Sequence, residues 1–127
     1  MMTCKRHILL AAALVLVTLP LPAQAQQSSG NITIAQVMDA MDNAPRHDHA
    51  RQVLTAYLSG IGETTGVLFR QARDSGLAPS GCGGSMSLSW EGVASAFRAA
   101  APDVSQWQAT PATPIIVADM LARAGCD

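Results

Sequence analysis

The chain has 127 residues, 49% of them hydrophobic and 13% charged, with a formal net charge of −1. This length bounds it to one domain with a real but modest core. The charge argues against a nucleic-acid partner, because binding phosphate needs a basic patch.

The start reads as a secretory signal. Lys5 and Arg6 give a short positive region, and residues 8–21 are apolar apart from Thr18 and Pro20. Pro22-Ala23-Gln24-Ala25 supplies small residues at −3 and −1, so cleavage is expected after Ala25. The apolar run of about 14 residues falls short of the ~20 that a spanning helix needs. Residues 1–25 are therefore expected to leave, with Cys4 and His7, and no membrane attachment remains. The mature chain keeps six Arg, no Lys and nine acidic residues, a formal charge of about −3. Two cysteines remain, Cys82 and Cys126, and in an exported domain they read as one disulfide. The loop they would close, about 45 residues, is worth about 4 kcal/mol in the chain-entropy treatment.

Residues 26–31 are polar with one Gly, and residues 26–32 are expected to form a flexible lead to a single helical domain over residues 33–127. Thr33 and Gln36 fit a capping box. Ile34, Val37, Met38 and Met41 then share one face, which predicts a first helix over residues 34–42. Asn43-Ala44-Pro45 separates it from the longest helical pattern, over residues 45–74, which ends at Ser75-Gly76 with Gly76 in the left-handed position beyond the helix. Ala50, Val53, Leu54, Tyr57, Leu58, Ile61, Leu68 and Ala72 form an apolar stripe on it. Thr55, Ser59, Gly62 and Gly66 form a second stripe of small residues, with Glu63 alongside. Gly60, Gly62 and Gly66 each cost about 1 kcal/mol relative to Ala inside a helix. Either the helix bends at residues 60–62, or close packing of another helix along the small stripe offsets that cost. The alignment of Gly62 and Gly66 with Ser59 and Thr55 favours packing, against this chain or a dimer mate.

Residues 77–87 form a Pro/Gly loop around Cys82. Ser89 caps a third helix whose inner face is Trp90, Val93, Ala94, Phe97 and Ala101, and Pro102 ends it. Residues 103–113 read as a polar loop. Trp107 within it either folds back or stands as an exposed anchor, the kind of residue that dominates interfaces. Thr113-Pro114 reads as a cap and first position for a last helix over residues 114–124. That helix is apolar nearly all round and so is expected to be mostly buried. Asp119 and Arg123 pair on it at (i, i+4), and Gly125 turns the chain out so that Cys126 ties back to the Cys82 loop. No alternating strand pattern is present. The fold class is all-α: a small bundle of about four helices around a long central one, with one disulfide.

Chemistry is thinly represented. His47 and His49 flank Asp48, but positions i and i+2 of a helix point about 200° apart, which reads as a solvated first turn and not a metal site. Gly60-x-Gly62-x-x-x-Gly66 lies inside a helix and has no following Lys, so it is not a phosphate loop. Ser85, Ser87 and Ser89 lack the setting of a nucleophile elbow. Glu63, among small residues, could be partly buried and act as a base, but no motif links it to a second group. Neither a cofactor nor an enzymatic activity is expected.

The order of features is informative. A signal peptide and short helix precede Tyr57-Leu58-Ser59-Gly60-Ile61-Gly62-Glu63-Thr64-Thr65-Gly66. A Cys-bearing Pro/Gly loop follows, then Leu88-Ser89 opening a helix, and a final helix ending in a Cys. This resembles the Rap/Tai immunity protein family, whose members protect bacteria from cell-wall amidases delivered by type VI secretion. The resemblance covers about residues 32–126, and Cys82 and Cys126 match the family's disulfide pattern. Val67-Leu68-Phe69 departs from it, standing where Trp-Ala-Asn is more usual. The resemblance implies an all-helical periplasmic protein, often a homodimer, that binds a cognate peptidoglycan amidase and obstructs its active-site cleft. Long polar loops are where such binding is expected, with residues 103–113 and Trp107 the first candidate and residues 77–87 the second. The alternative is a small periplasmic chaperone of the acid-stress type, in which protonation of Asp39, Asp42, Glu63 and Asp119 would loosen the fold. A periplasmic enzyme ranks last.

Overall fold

The computed structural model describes residues 31–78, 82–83 and 87–126. The expected signal peptide, and the lead as far as residue 30, lie outside the described residues. Four α-helices follow in order: α1 (Ile34–Asn43), α2 (Asp48–Asp74), α3 (Trp90–Ala100) and α4 (Ala112–Arg123), with a 3₁₀ turn at Val104–Gln106. The class is all-α, as the sequence implies. α1 packs against α2 and α3 against α4, while α1 also touches α3 and α2 touches α4.

The core lies where the four helices meet. Ile34 and Val37 of α1, Leu54 and Leu58 of α2, Val93 and Phe97 of α3, and Ile116 and Met120 of α4 are all buried in one cluster. Phe97 is wholly enclosed, and burying a side chain of this size contributes about 1.5–3 kcal/mol. Trp90 packs half-buried against the cluster.

α1 begins with each of its first N–H groups occupied. A helix leaves its first four donors without partners in the preceding turn. Here Ile34 N donates to Thr110 O (3.0 Å) and Ala35 N to Trp107 O (3.2 Å). Gln36 N donates to Thr33 Oγ1, and the Gln36 side chain accepts from Thr33 N (2.9 Å), which completes the capping box. Ala112 N in turn donates to Ile32 O (2.8 Å), beside an antiparallel bridge between Thr33 and Pro111. Ile32 is thus held against the start of α4, in contrast to the flexible lead expected through residue 32.

Helix starts account for the other differences. α2 begins at Asp48, three residues later than expected, because the chain is extended at His47 after a turn in which Arg46 N and His47 N both donate to Asn43 O. It then runs unbroken to Asp74. α4 begins at Ala112, not at residue 114, with Pro111 as its cap. Thr113 does not cap it, because its hydroxyl is engaged by Tyr57. Pro114 sits in the first turn, where its missing N–H leaves no gap.

Both α2 and α4 end on a glycine with positive φ, Gly76 at 69° and Gly125 at 75°. After α2, Leu77 N reaches Ala72 O (2.8 Å) and Gly76 N reaches Arg73 O (3.0 Å). After α4, Cys126 N reaches Leu121 O and Gly125 N reaches Ala122 O, both at 3.0 Å. This pair of bonds is the Schellman closure, which needs a left-handed residue at its turn. Beyond α4 the closure presents Cys126 to Cys82, and the two form a disulfide. The same corner is sewn by Gly83 N to Ala124 O (3.1 Å) and by Arg123, which pairs with Asp119 (2.9 Å) and donates to Ser87 O (2.6 Å). A disulfide is compatible with an extracellular or periplasmic location. Among the described residues no helix is long and apolar enough to cross a membrane.

Candidate functional site

α2 is far longer than its neighbours, and that mismatch makes the site. At 1.5 Å per residue its 27 residues span ~40 Å, whereas the 10 residues of α1 and the 12 of α4 span ~15–18 Å. Short partners cannot cover a long helix. The only buried residues of α2 are Leu54 and Leu58, both in its first half. Past Ile61 the helix runs alongside α4 without entering the core cluster.

Between the two lies a groove of about 740 Å³. Its α2 wall carries Ala56, Tyr57, Gly60, Ile61, Thr64, Thr65, Leu68 and Phe69, and its α4 wall carries Thr113, Val117 and Leu121. The α2 set follows i, i+4, i+7 and i+11 spacing from Tyr57 to Leu68, one continuous helix face. Leu68 is 59% exposed and Leu77, just beyond the helix, 80% exposed. At one end Tyr57 Oη and Thr113 Oγ1 meet at 2.9 Å and join the walls. Burial pushes the Tyr57 phenol above its usual range, opposed in part by the bond to Thr113. A smaller hollow of about 220 Å³ continues on the other side of Tyr57, lined by Ile32, Val37, Val53 and Leu54.

The apolar stripe of α2 is therefore not a core face along its length. Leu54 and Leu58 are buried, but Val53 is 51% exposed and Leu68 more so. α4 is likewise not buried all round: Ala112, Ile116 and Met120 are enclosed, while Val117 and Leu121 face the groove half-exposed.

Among the described residues no helix packs closely along the small-residue stripe. Thr55, Ser59, Gly62 and Glu63 line an open hollow of about 410 Å³, with Leu88 and Trp90 on its far side. A Cβ on Gly62 would lie 3.6 Å from Leu88 Cδ1, one on Gly66 3.5 Å from Arg70 Nη1, and one on Gly60 would meet nothing within 4 Å. Those are ordinary contacts or open space, so no close approach among the described residues demands these glycines. Glu63 is exposed, so the partial burial that its small neighbours could have given it is not present.

Of the two placements expected for Trp107, the structure shows the folded-back one. Its indole is turned inward against the core cluster, Nε1 donates to Ala101 O at 2.8 Å, and its carbonyl caps α1. The segment around it is a structural clamp and not a free loop. Asp103 starts the 3₁₀ turn by accepting from Ser105 N (2.9 Å), and its hydrogen bonds to Ser105 hold its carboxyl below the usual range. The second candidate loop, residues 77–87, lies partly outside the described residues. His47, Asp48 and His49 are exposed. Among the described residues no group of three His, Cys, Asp or Glu side chains is placed to hold a metal.

Comparison with family models, with curated proteins and with solved structures finds no match for this chain. What the arrangement can do is therefore judged from its own geometry. It offers a long apolar trough on a stapled helical frame, with hydroxyls at Tyr57, Thr64, Thr65 and Thr113, and charge kept outside the lining.

Proposed function

We propose that this chain is an exported, immunity-type binding protein that holds a cognate peptidoglycan amidase and obstructs its active-site cleft. The observation that carries a binding role is the groove between α2 and α4. A concave, mainly apolar lining with a few placed hydroxyls is the kind of surface on which a binding partner is seated. Its occupant in this reading is the amidase, and the contact surface moves from the Trp107 segment to the second half of α2 and the facing side of α4. The order of helices and cysteines, and the resemblance they carry, supply the amidase and the periplasmic setting. The disulfide is in keeping with that setting.

Obstruction needs no chemistry from the binding protein. It needs a rigid ridge that fills the partner's cleft, and a helix anchored at Leu54 and Leu58 can carry such a ridge on its free half. The acid-stress chaperone reading is less well supported. Such a switch works when protonation releases a buried or paired carboxylate. No charged side chain is buried among the described residues; Asp42 and Glu63 are exposed, and Asp119 is the best enclosed of the four, paired with Arg123.

The test is to purify the oxidised protein with candidate peptidoglycan amidases, beginning with any encoded beside its gene, and to follow release of peptides from isolated sacculi. An equimolar amount should suppress hydrolysis. Undiminished hydrolysis in the presence of a stoichiometric excess would end the amidase reading. Protection of an unrelated client from light scattering at pH 2–3, ~3 units or more below the ordinary His range, would replace it with the chaperone.

A further inference from the structure

We infer that the Cys82–Cys126 disulfide is the strut that fixes the second half of α2 beside α4, so that the groove exists as a shaped surface in the oxidised chain only. Four observations lead there. α2 buries nothing after Leu58, and Ile61 is its last residue packed on the core cluster. Its side-chain hydrogen bond to α4, Tyr57 to Thr113, lies at the core end of the groove. Its far end closes on itself, since Leu77 N and Ala78 N both donate back to Ala72 O. The chain then reaches Cys82 within a few residues, and Cys82 is bonded to Cys126, directly after the Schellman turn of α4. The two walls are thus joined near one end by packing and a hydrogen bond, and at the other by a covalent bond.

A helix half whose inner residues, Thr65, Phe69 and Ala72, are only half-buried depends on that far link to hold its position. Local openings of this kind cost far less than global unfolding and can occur with the core intact. The four-helix cluster of Ile34, Leu54, Phe97 and Ile116 does not run through the disulfide, so the bundle is able to persist when the bond is cut. Cys126 is the more accessible of the pair, Cys82 being buried. A dithiol reductant therefore attacks the Cys126 sulfur, and Cys82 leaves as a thiolate that takes up a proton. The reductant's second thiolate then displaces Cys126 from the mixed disulfide. Two electrons pass to the protein, and the reductant ends as its own cyclic disulfide. This inference concerns the chain itself and holds whatever molecule occupies the groove.

Backbone ¹⁵N relaxation of the folded protein before and after complete reduction with dithiothreitol tests it. Order parameters over residues 64–76 should fall from about 0.85 to below about 0.6, while those of residues 34–58 and of α4 stay at their oxidised values. A Cys82→Ser, Cys126→Ser variant, measured without reductant, should give the reduced pattern. If residues 64–76 stay as rigid in the reduced chain as in the oxidised one, another interaction sets the groove and the inference fails. It fails equally if reduction, or the double variant, collapses the resonances of α1, α3 and α4 together with α2, because the bond is then a staple for the whole fold.

Discussion

The Tyr57 hydroxyl stands 2.9 Å from Thr113 Oγ1 and links two residues that are 56 positions apart in sequence. It crosses from the middle of α2 to the first turn of α4, so it sets the spacing of the groove walls at their core end. Tyr57→Phe should lower stability by about 0.5–1 kcal/mol, read as a shift in urea midpoint with an unchanged slope. Tyr57 is the chain's one tyrosine, so phenolate absorbance reports it alone. Burial raises its folded pKa above the model-peptide value. The neutral phenol therefore supports the fold fully below pH ~10, and that support is lost as pH rises through the raised folded value. The absorbance midpoint should lie above that of the urea-unfolded chain, and a midpoint equal to or below it would contradict this placement.

Trp107 acts through its N–H. Trp107→Phe keeps an aromatic ring but leaves the Ala101 carbonyl without its donor, which should cost about 1–2 kcal/mol in denaturant unfolding. Val104→Ala nearby is the control: Val104 is exposed, so the change should stay within about 0.5 kcal/mol. Because the indole points inward, Trp107→Phe should not weaken the proposed amidase binding, measured by calorimetry below the unfolding transition. A large loss of affinity with folding intact would return the contact surface to this segment.

The glycines of α2 give an opposite prediction to the one their spacing suggests. A Cβ at Gly60 meets nothing within 4 Å, and the backbone there is helical. Gly60→Ala should therefore stabilise the fold by about 0.5–1 kcal/mol, seen as a higher thermal midpoint. A lower midpoint would mean that a second molecule, such as another copy of the chain, packs on that face in solution.

Leu68 separates binding from stability. It is mostly exposed on the groove rim, so Leu68→Glu should change stability by no more than about 0.5 kcal/mol. It should also weaken the proposed amidase complex by about 1.4 kcal/mol or more, a tenfold loss. Unchanged affinity would remove the rim of the groove from the interface.

Much of the fold is legible in the sequence because its signals are local. Thr33 with Gln36, Ser89 before Trp90, Gly76 and Gly125 after their helices, and the two cysteines each fix a feature through neighbouring atoms or covalent chemistry. The starts of α2 and α4 are less legible because tertiary contacts decide them: Thr113 is claimed by Tyr57, and Ala112 N by Ile32. The groove is the part that local patterns miss. Val53, Ile61 and Leu68 repeat at the same spacing whether the face they form is covered or bare. The signal that could have found it is length, since α2 outruns every other helix and its far apolar residues have no partner long enough to reach them. Trp107 was ambiguous for a similar reason: a polar neighbourhood in sequence does not say where an indole points, and only the arrival of Ala101 settles it.

The turn after α4 also bears on how the protein matures. The glycine at 125 and the bond from Cys126 N to Leu121 O are local to the helix, so α4 orients its own cysteine as soon as it forms. Oxidative pairing then has one mobile participant instead of two. An Ala at position 125 would strain the left-handed turn and aim the sulfur elsewhere. The yield of bridged protein under oxidising conditions thus becomes a direct report of whether the last helix has folded.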